Sequence, residues 1–125
     1  MIAGIGADIV AVARLVRLYR RHGARAAEKM LAPLELADFS RAGDPARFLA
    51  RRFAAKEALG KALGIGVSAP ASLPNIAVTH DELGKPMFAC APELARYLAE
   101  RGLTVHLSIS DEADYAVAFV VLESA

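Results

Sequence analysis

Along this chain the apolar positions change period several times, and each change marks an element. From Met1 to Val10 the period is two. Ile5, Ala7 and Ile9 fall on one face and Gly4, Gly6 and Asp8 on the other, which predicts a strand. From Ala11 to His22 the period is helical, with Val12, Leu15, Val16 and Tyr19 as the apolar stripe. Ala24 to Leu31 reads as a short helix, and Pro33 opens another that ends near Gly43. A long helix follows, with both ends marked: Asp44 can cap its start, Pro45 suits its first position, and Gly64 can take the left-handed turn that stops it. From Pro45 to Leu63 it spans roughly 28 Å, enough to cross the whole core. Gly64 to Asn75 is a loop. Ile76–His80 and Pro86–Cys90 are strands joined by a hairpin turn in which Gly84 supplies the positive φ. Pro92–Arg101 is a helix stopped by Gly102. In the strand Leu103–Ser110, Val105, Leu107 and Ile109 alternate with Thr104, His106, Ser108 and Ser110. Tyr115–Leu122 is the last strand. No repeat or low-complexity linker interrupts the series. The expected architecture is α+β: one domain over residues 1–125, with an antiparallel sheet packed against the long central helix.

Polar residues on this frame supply the candidate chemistry. Asp8 is an acid in a strand, where Asp is depleted, and two glycines precede it. It reads equally as a cap for the next helix or as a metal ligand. In the long helix Phe53, Glu57 and Lys61 share a face; Glu57 and Lys61 can be a plain i,i+4 ion pair. Arg14, Arg17 and Arg21 line the polar side of the first helix, with Arg20 at its margin and Arg25 just beyond Gly23. No acid is interleaved among them, so a solvated face is less satisfactory than one that takes an acidic helix or a phosphate. Gly64-Ile65-Gly66 can present backbone N–H groups to a phosphate, although helix termination alone explains Gly64. His106 sits on the polar face of its strand, and His80 reads as a surface residue at a strand end. Two carboxylates without a His or Cys cluster suit a hard ion such as Mg²⁺, which commonly takes one or two carboxylates and completes its shell with water and substrate phosphates. Asp8 and Glu57 with the neighbouring cations therefore suggest an enzyme acting on a pyrophosphate.

Composition narrows the classes. The net charge is +1, but residues 1–61 hold 12 Lys+Arg against 6 Asp+Glu, while residues 62–125 hold 3 against 8. One end of the molecule attracts anions, and the acidic second half disfavours nucleic acid. Trp is absent and aromatics are 6%, too few for a base-stacking platform. No apolar run reaches the roughly 18 residues of a membrane span. The single Cys90 makes no internal disulfide and reads as a buried strand residue; with no leader-like stretch, a cytoplasmic protein is expected.

Gly4-Ile5-Gly6-Ala7-Asp8-Ile9-Val10, together with Arg52-Phe53-Ala54-Ala55-Lys56-Glu57-Ala58-Leu59-Gly60-Lys61-Ala62-Leu63-Gly64, resembles the signature pair of the holo-[acyl-carrier-protein] synthases, the small bacterial 4′-phosphopantetheinyl transferases. The resemblance continues through Gly84-Lys85-Pro86 and Val105-His106-Leu107-Ser108-Ile109-Ser110 to Ala118. It implies transfer of the phosphopantetheine arm of coenzyme A to a serine of an apo-acyl carrier protein, in fatty-acid or polyketide synthesis, with release of adenosine 3′,5′-bisphosphate. It implies Mg²⁺ on Asp8 and Glu57, Lys61 on phosphate, and the carrier protein's acidic helix on the surface that begins at Arg14. Arg52, Gly64, Gly66 and His106 join the coenzyme A contacts. It also implies a homotrimer with the site between subunits. Glu35, His106 and a water on the metal are the candidate acceptors for the serine proton. Two departures stand out. Asp111 occupies a position where many relatives have His, so an acid stands where a nucleotide phosphate contact is expected, and that contact is lost or passes to His106 or an Arg. Ala32 replaces the Thr or Ser often found before Glu35.

Overall fold

A strand with no side chains on one face can lie directly on a helix. The computed structural model describes residues 1–125 and shows this arrangement between strand β1 (Ile2–Ala11) and the long helix α4 (Pro45–Leu63). A Cβ added to Gly4 would meet the Ala62 carbonyl oxygen, and one added to Gly6 would meet the Ala58 carbonyl oxygen and, at 2.7 Å, the Ala62 nitrogen. Gly60 of α4 is confined in the same way by the backbone of Gly66. The helix is therefore pressed against the strand at backbone distance, and Asp8, next in register after Gly6, is carried to the edge of α4.

The other elements follow in the predicted order. Helices α1 (Val12–His22), α2 (Ala24–Met30) and α3 (Pro33–Ser40) precede α4; β2 (Ile76–His80), β3 (Pro86–Cys90), α5 (Pro92–Glu100), β4 (Leu103–Asp111) and β5 (Tyr115–Ser124) follow. Asp44 caps α4 by accepting from the Arg47 N–H, and Gly64 ends it at φ 79°. The expected antiparallel pairing is divided between two sheets. β1, β5 and β4 pair antiparallel in that order, and β2 pairs with β3 alone.

The three-stranded sheet lays its inner face on α4. Ala116, Ala118, Val120 and Leu122 of β5 are buried there, against Leu49, Ala54, Ala55, Ala58 and Leu59. Its outer face is bare and apolar: Ile5, Ile9, Tyr115, Val117 and Phe119 are all exposed. The apolar side of β1 therefore faces outward and its glycine side faces the core.

A second set of contacts fixes the opposite side of α4. Lys56 is fully buried, and its ammonium donates to Glu35 Oε1, to the Met30 carbonyl at 2.6 Å and to the Leu73 carbonyl at 3.1 Å. Glu35 Oε1 also accepts from the Ala32 N–H at 2.9 Å; Oε2 accepts from Arg52 Nη1 at 2.9 Å and from the Val78 N–H at 3.0 Å. Ala32, at the N-cap of α3, has no hydroxyl, and the Glu35 carboxylate closes that turn from the inside.

A side chain at Gly6 has nowhere to go but into α4 backbone. Gly6→Ala should cost about 3 kcal/mol, as overpacking of a core does. For a domain of this size that lowers Tm by roughly 10 °C in a thermal melt. An unchanged Tm would show that α4 does not depend on this close approach.

Candidate active site

Where β1 ends its run against α4, the two candidate acids come together. Asp8 is mostly buried, and Lys61 Nζ donates to its Oδ1 at 3.0 Å and to the Ala7 carbonyl at 3.0 Å. The N-cap of α1 is Ala11 and no side chain caps it, so Asp8 is free of the capping role. Nor is Lys61 a simple i,i+4 partner of Glu57, because its hydrogen bonds go across to β1. Burial and the nearby Asp8 charge push the Glu57 carboxyl above the usual range, while Lys61 and Arg14 pull it back. Two acids close enough to repel, with one ammonium bonded to only the first of them, form a site that gains by taking a cation. Two carboxylates are the donor number that Mg²⁺ commonly takes from a protein, with water and phosphate oxygens filling the rest of its shell. Asp8 and Glu57 thus fit as its holders.

Arg14 links this corner to the arginine face. Its guanidinium lies 5.3 Å from the centre of the Phe53 ring, one helical turn before Glu57. Arg14, Arg17 and Arg21 line one shallow hollow of α1, and Arg25 lies in a larger one between α1 and α2, with His22 and Lys29. The surface that runs up to the acids is therefore cationic along its length.

Two expectations need correction. Glu35 cannot accept a proton from a substrate: it is buried and both its oxygens are bonded, to Lys56 and Arg52 among others. Gly64 and Gly66 do not offer a phosphate cradle, because the N–H groups of Gly64, Ile65 and Gly66 turn back to the Lys61 and Gly60 carbonyls. They terminate α4. His106 lies on the outer face of the sheet, 3.0 Å from Glu123, while Asp8 lies on the inner face. Within one chain it is therefore apart from these acids, and only the expected site between subunits would bring it to them. Arg52 Nη1 is bonded inside the fold, to Glu35 and the Val78 carbonyl, with the guanidinium 4.3 Å from the Phe48 ring centre, while the residue also lines a cavity at the surface.

Sequence reasoning named Arg52 and Asp111 but not the recess they share, nor Arg51 and His80 beside them. Arg51, Arg52 and His80 line a cavity of about 170 Å³ with Gly84, Pro86 and Asp111. His80 is part of this wall rather than a bystander; burial and the charges of Arg52 and Arg51 push its pKa down. Two guanidiniums and an imidazole in one recess form a candidate anion site. The gathering depends on the β2–β3 hairpin reaching β4, which no local pattern announces. Lys56 was also missed, since a buried lysine in an Ala-rich helix is visible only once Glu35 is placed against it.

The whole chain has known relatives. A family described as the 4′-phosphopantetheinyl transferase superfamily matches residues 4–120. The holo-[acyl-carrier-protein] synthase of Dechloromonas aromatica is 63% identical over 125 residues, covering 100% of both chains. The crystal structure of the holo-[acyl-carrier-protein] synthase from Neisseria meningitidis superposes with a TM-score of 0.96 at 49% identity, over 99% of this chain and 100% of that one. A holo-(acyl-carrier-protein) synthase from Bacillus anthracis, solved in complex with CoA (3′,5′-ADP), gives 0.84 at 35% identity, over 100% of this chain and 99% of that one. With a match from end to end in both sequence and fold, this chain belongs to the 4′-phosphopantetheinyl transferase superfamily, among the holo-[acyl-carrier-protein] synthases.

Proposed function

We propose that this chain transfers the 4′-phosphopantetheine arm of coenzyme A to a serine of an apo-acyl carrier protein, with Mg²⁺, and releases adenosine 3′,5′-bisphosphate. The observation that supports it best is the meeting of Asp8, Glu57 and Lys61 at the end of an arginine face. In the reaction the serine oxygen forms a bond to the phosphorus that bears the pantetheine arm. The bridging P–O bond of the pyrophosphate breaks, and the nucleotide leaves with the electron pair. Such a transfer needs positioning and charge neutralisation more than covalent help. Asp8 and Glu57 would hold Mg²⁺, which neutralises pyrophosphate charge when bound. Lys61, released from Asp8 by the cation, would meet the negative charge on the departing oxygen. Arg14, Arg17, Arg21 and Arg25 would hold the acidic helix of the carrier protein, with Arg14 next to the acids so that the serine is delivered to them. Glu35 is not available for the serine proton, and His106 can take it only from a neighbouring copy.

The site is divided about α4. Six residues at about 100° each put Arg51 about 120° around the helix from Glu57, so the anion cavity and the acids open on different sides. A substrate that needs both is best served where two copies meet. The bare sheet face of Ile5, Ile9, Tyr115, Val117 and Phe119 supplies an apolar surface for that contact. A trimer is the assembly the family resemblance implies. Sedimentation equilibrium should give three times 13.2 kDa; the mass of one chain would sink the proposal.

Incubated with coenzyme A, Mg²⁺ and an apo-acyl carrier protein, the protein should raise the carrier's mass by roughly 340 Da, the mass of the arm, and EDTA should abolish the gain. Asp8→Ala should lose most of the activity while keeping a native melt. Arg14→Ala should mainly raise KM for the carrier protein, because it removes binding rather than chemistry. A fully active Asp8→Ala would overturn the metal assignment.

Protons compete with the metal for Glu57. Because Glu57 titrates above an ordinary glutamate, the competition begins at a higher pH than usual. The Mg²⁺ concentration for half-maximal rate should rise as pH falls from about 7 to about 5. A flat profile would exclude Glu57 as a ligand.

A further inference from the structure

The anion cavity has a carboxylate in its wall. Asp111 lines it with Arg51, Arg52 and His80. An acid beside three basic groups opposes the anion that those groups would attract, unless it is neutralised or has its own partner. The structure provides the neutralisation. Arg47 Nη1 donates to Asp111 Oδ2 at 3.0 Å and to the Glu112 carbonyl at 2.6 Å; Nη2 donates to the Ala113 carbonyl at 3.2 Å. One guanidinium thus spans the turn between β4 and β5 and fixes the carboxylate against it. Asp44 caps α4 at Arg47 and lies 3.5 Å from its Nε, so the clamp is anchored at both ends. The bond to Arg47 uses Oδ2; Oδ1 takes no donor from the protein. Asp111, which lines this cavity, therefore keeps one carboxylate oxygen without a protein donor, on a residue that stands beside Arg51, Arg52 and His80.

That combination matches one fragment of the coenzyme A nucleotide. A ribose with a phosphate on C3′ carries a hydroxyl on the adjacent C2′, a hydrogen-bond donor one carbon away from an anion. A carboxylate repels the phosphate and accepts from the hydroxyl. We propose that Asp111, held by Arg47, is a specificity-determining residue that accepts a hydrogen bond from the ribose 2′-hydroxyl while Arg51, Arg52 and His80 hold the phosphate beside it. The inference rests on coenzyme A as the substrate and on this cavity as its nucleotide site. It assigns Asp111 a contact of its own, in place of the phosphate contact expected of a basic residue there.

Calorimetric titration of the whole protein with adenosine 3′,5′-bisphosphate and with its 2′-deoxy analogue tests it. The wild type should bind the 2′-deoxy compound about tenfold more weakly, the scale of one hydrogen bond to a charged group. Asp111→Ala should bind both compounds equally, at the affinity of the wild type for the 2′-deoxy analogue. Asp111→Asn, which keeps an acceptor and a partner for Arg47, should retain part of the preference. Equal binding of the two compounds by the wild type would overturn the inference without recourse to any variant. So would an Asp111→Ala that binds both more tightly, since Asp111 would then only repel. Binding of neither compound by the wild type would overturn the coenzyme A reading itself, and this inference with it.

Discussion

The whole arrangement depends on how closely α4 approaches β1. Gly4 and Gly6 remove the side chains that would hold a helix at its usual distance from a sheet, and Ala58 and Ala62 meet them with backbone. The cost is conformational, since glycine loses the most freedom when a strand forms, and β1 contributes little apolar area inward beyond Val10. Burial instead comes from β5 and from the Ala and Leu side chains of α4. In return a carboxylate on a strand and a carboxylate and an ammonium on a helix share one corner, close enough to perturb one another. One added methyl at Gly6 would separate them.

The far side of α4 is fixed by charge. Glu35 accepts from four donors, two of them cations, and Lys56 bridges to two backbone carbonyls as well. Burial pushes the Lys56 ammonium below the usual lysine range and Glu35 opposes this. Such a cluster adds little net stability over an apolar replacement, yet removal of one member strands the others at about 3–5 kcal/mol. Its value lies in geometry: it ties α3, β2 and the chain near Leu73 to one rotational setting of α4. Lys56 and Glu57 are neighbours in sequence and face opposite requirements, one sealed in the core and one held at the site.

Most elements are legible in the sequence because they obey local rules: Asp44, Pro45 and Gly64 mark α4, and strict alternation marks β4. The acids were legible for the same reason, each being anomalous on its own element. What stayed hidden depends on contacts far apart in the chain. The exposed side of β1 is its apolar side, which alternation alone cannot assign. Glu35 looks reactive until Arg52 and Lys56 close around it. Gly64-Ile65-Gly66 looks like a phosphate loop until its N–H groups are seen to return to the helix. His80 and Asp111 lie on separate strands and meet only through tertiary packing.

The position of Arg14 over Phe53 has a kinetic side. The arginine face of α1 is continuous with the acid corner and concentrates positive charge on one surface of the molecule. A cationic face of this kind turns an approaching anionic surface before contact and raises the share of productive encounters. At physiological ionic strength screening acts over about 8 Å, which confines the guidance to the last layers of water. Salt would slow the meeting of the two molecules while leaving the grip, once formed, much less affected.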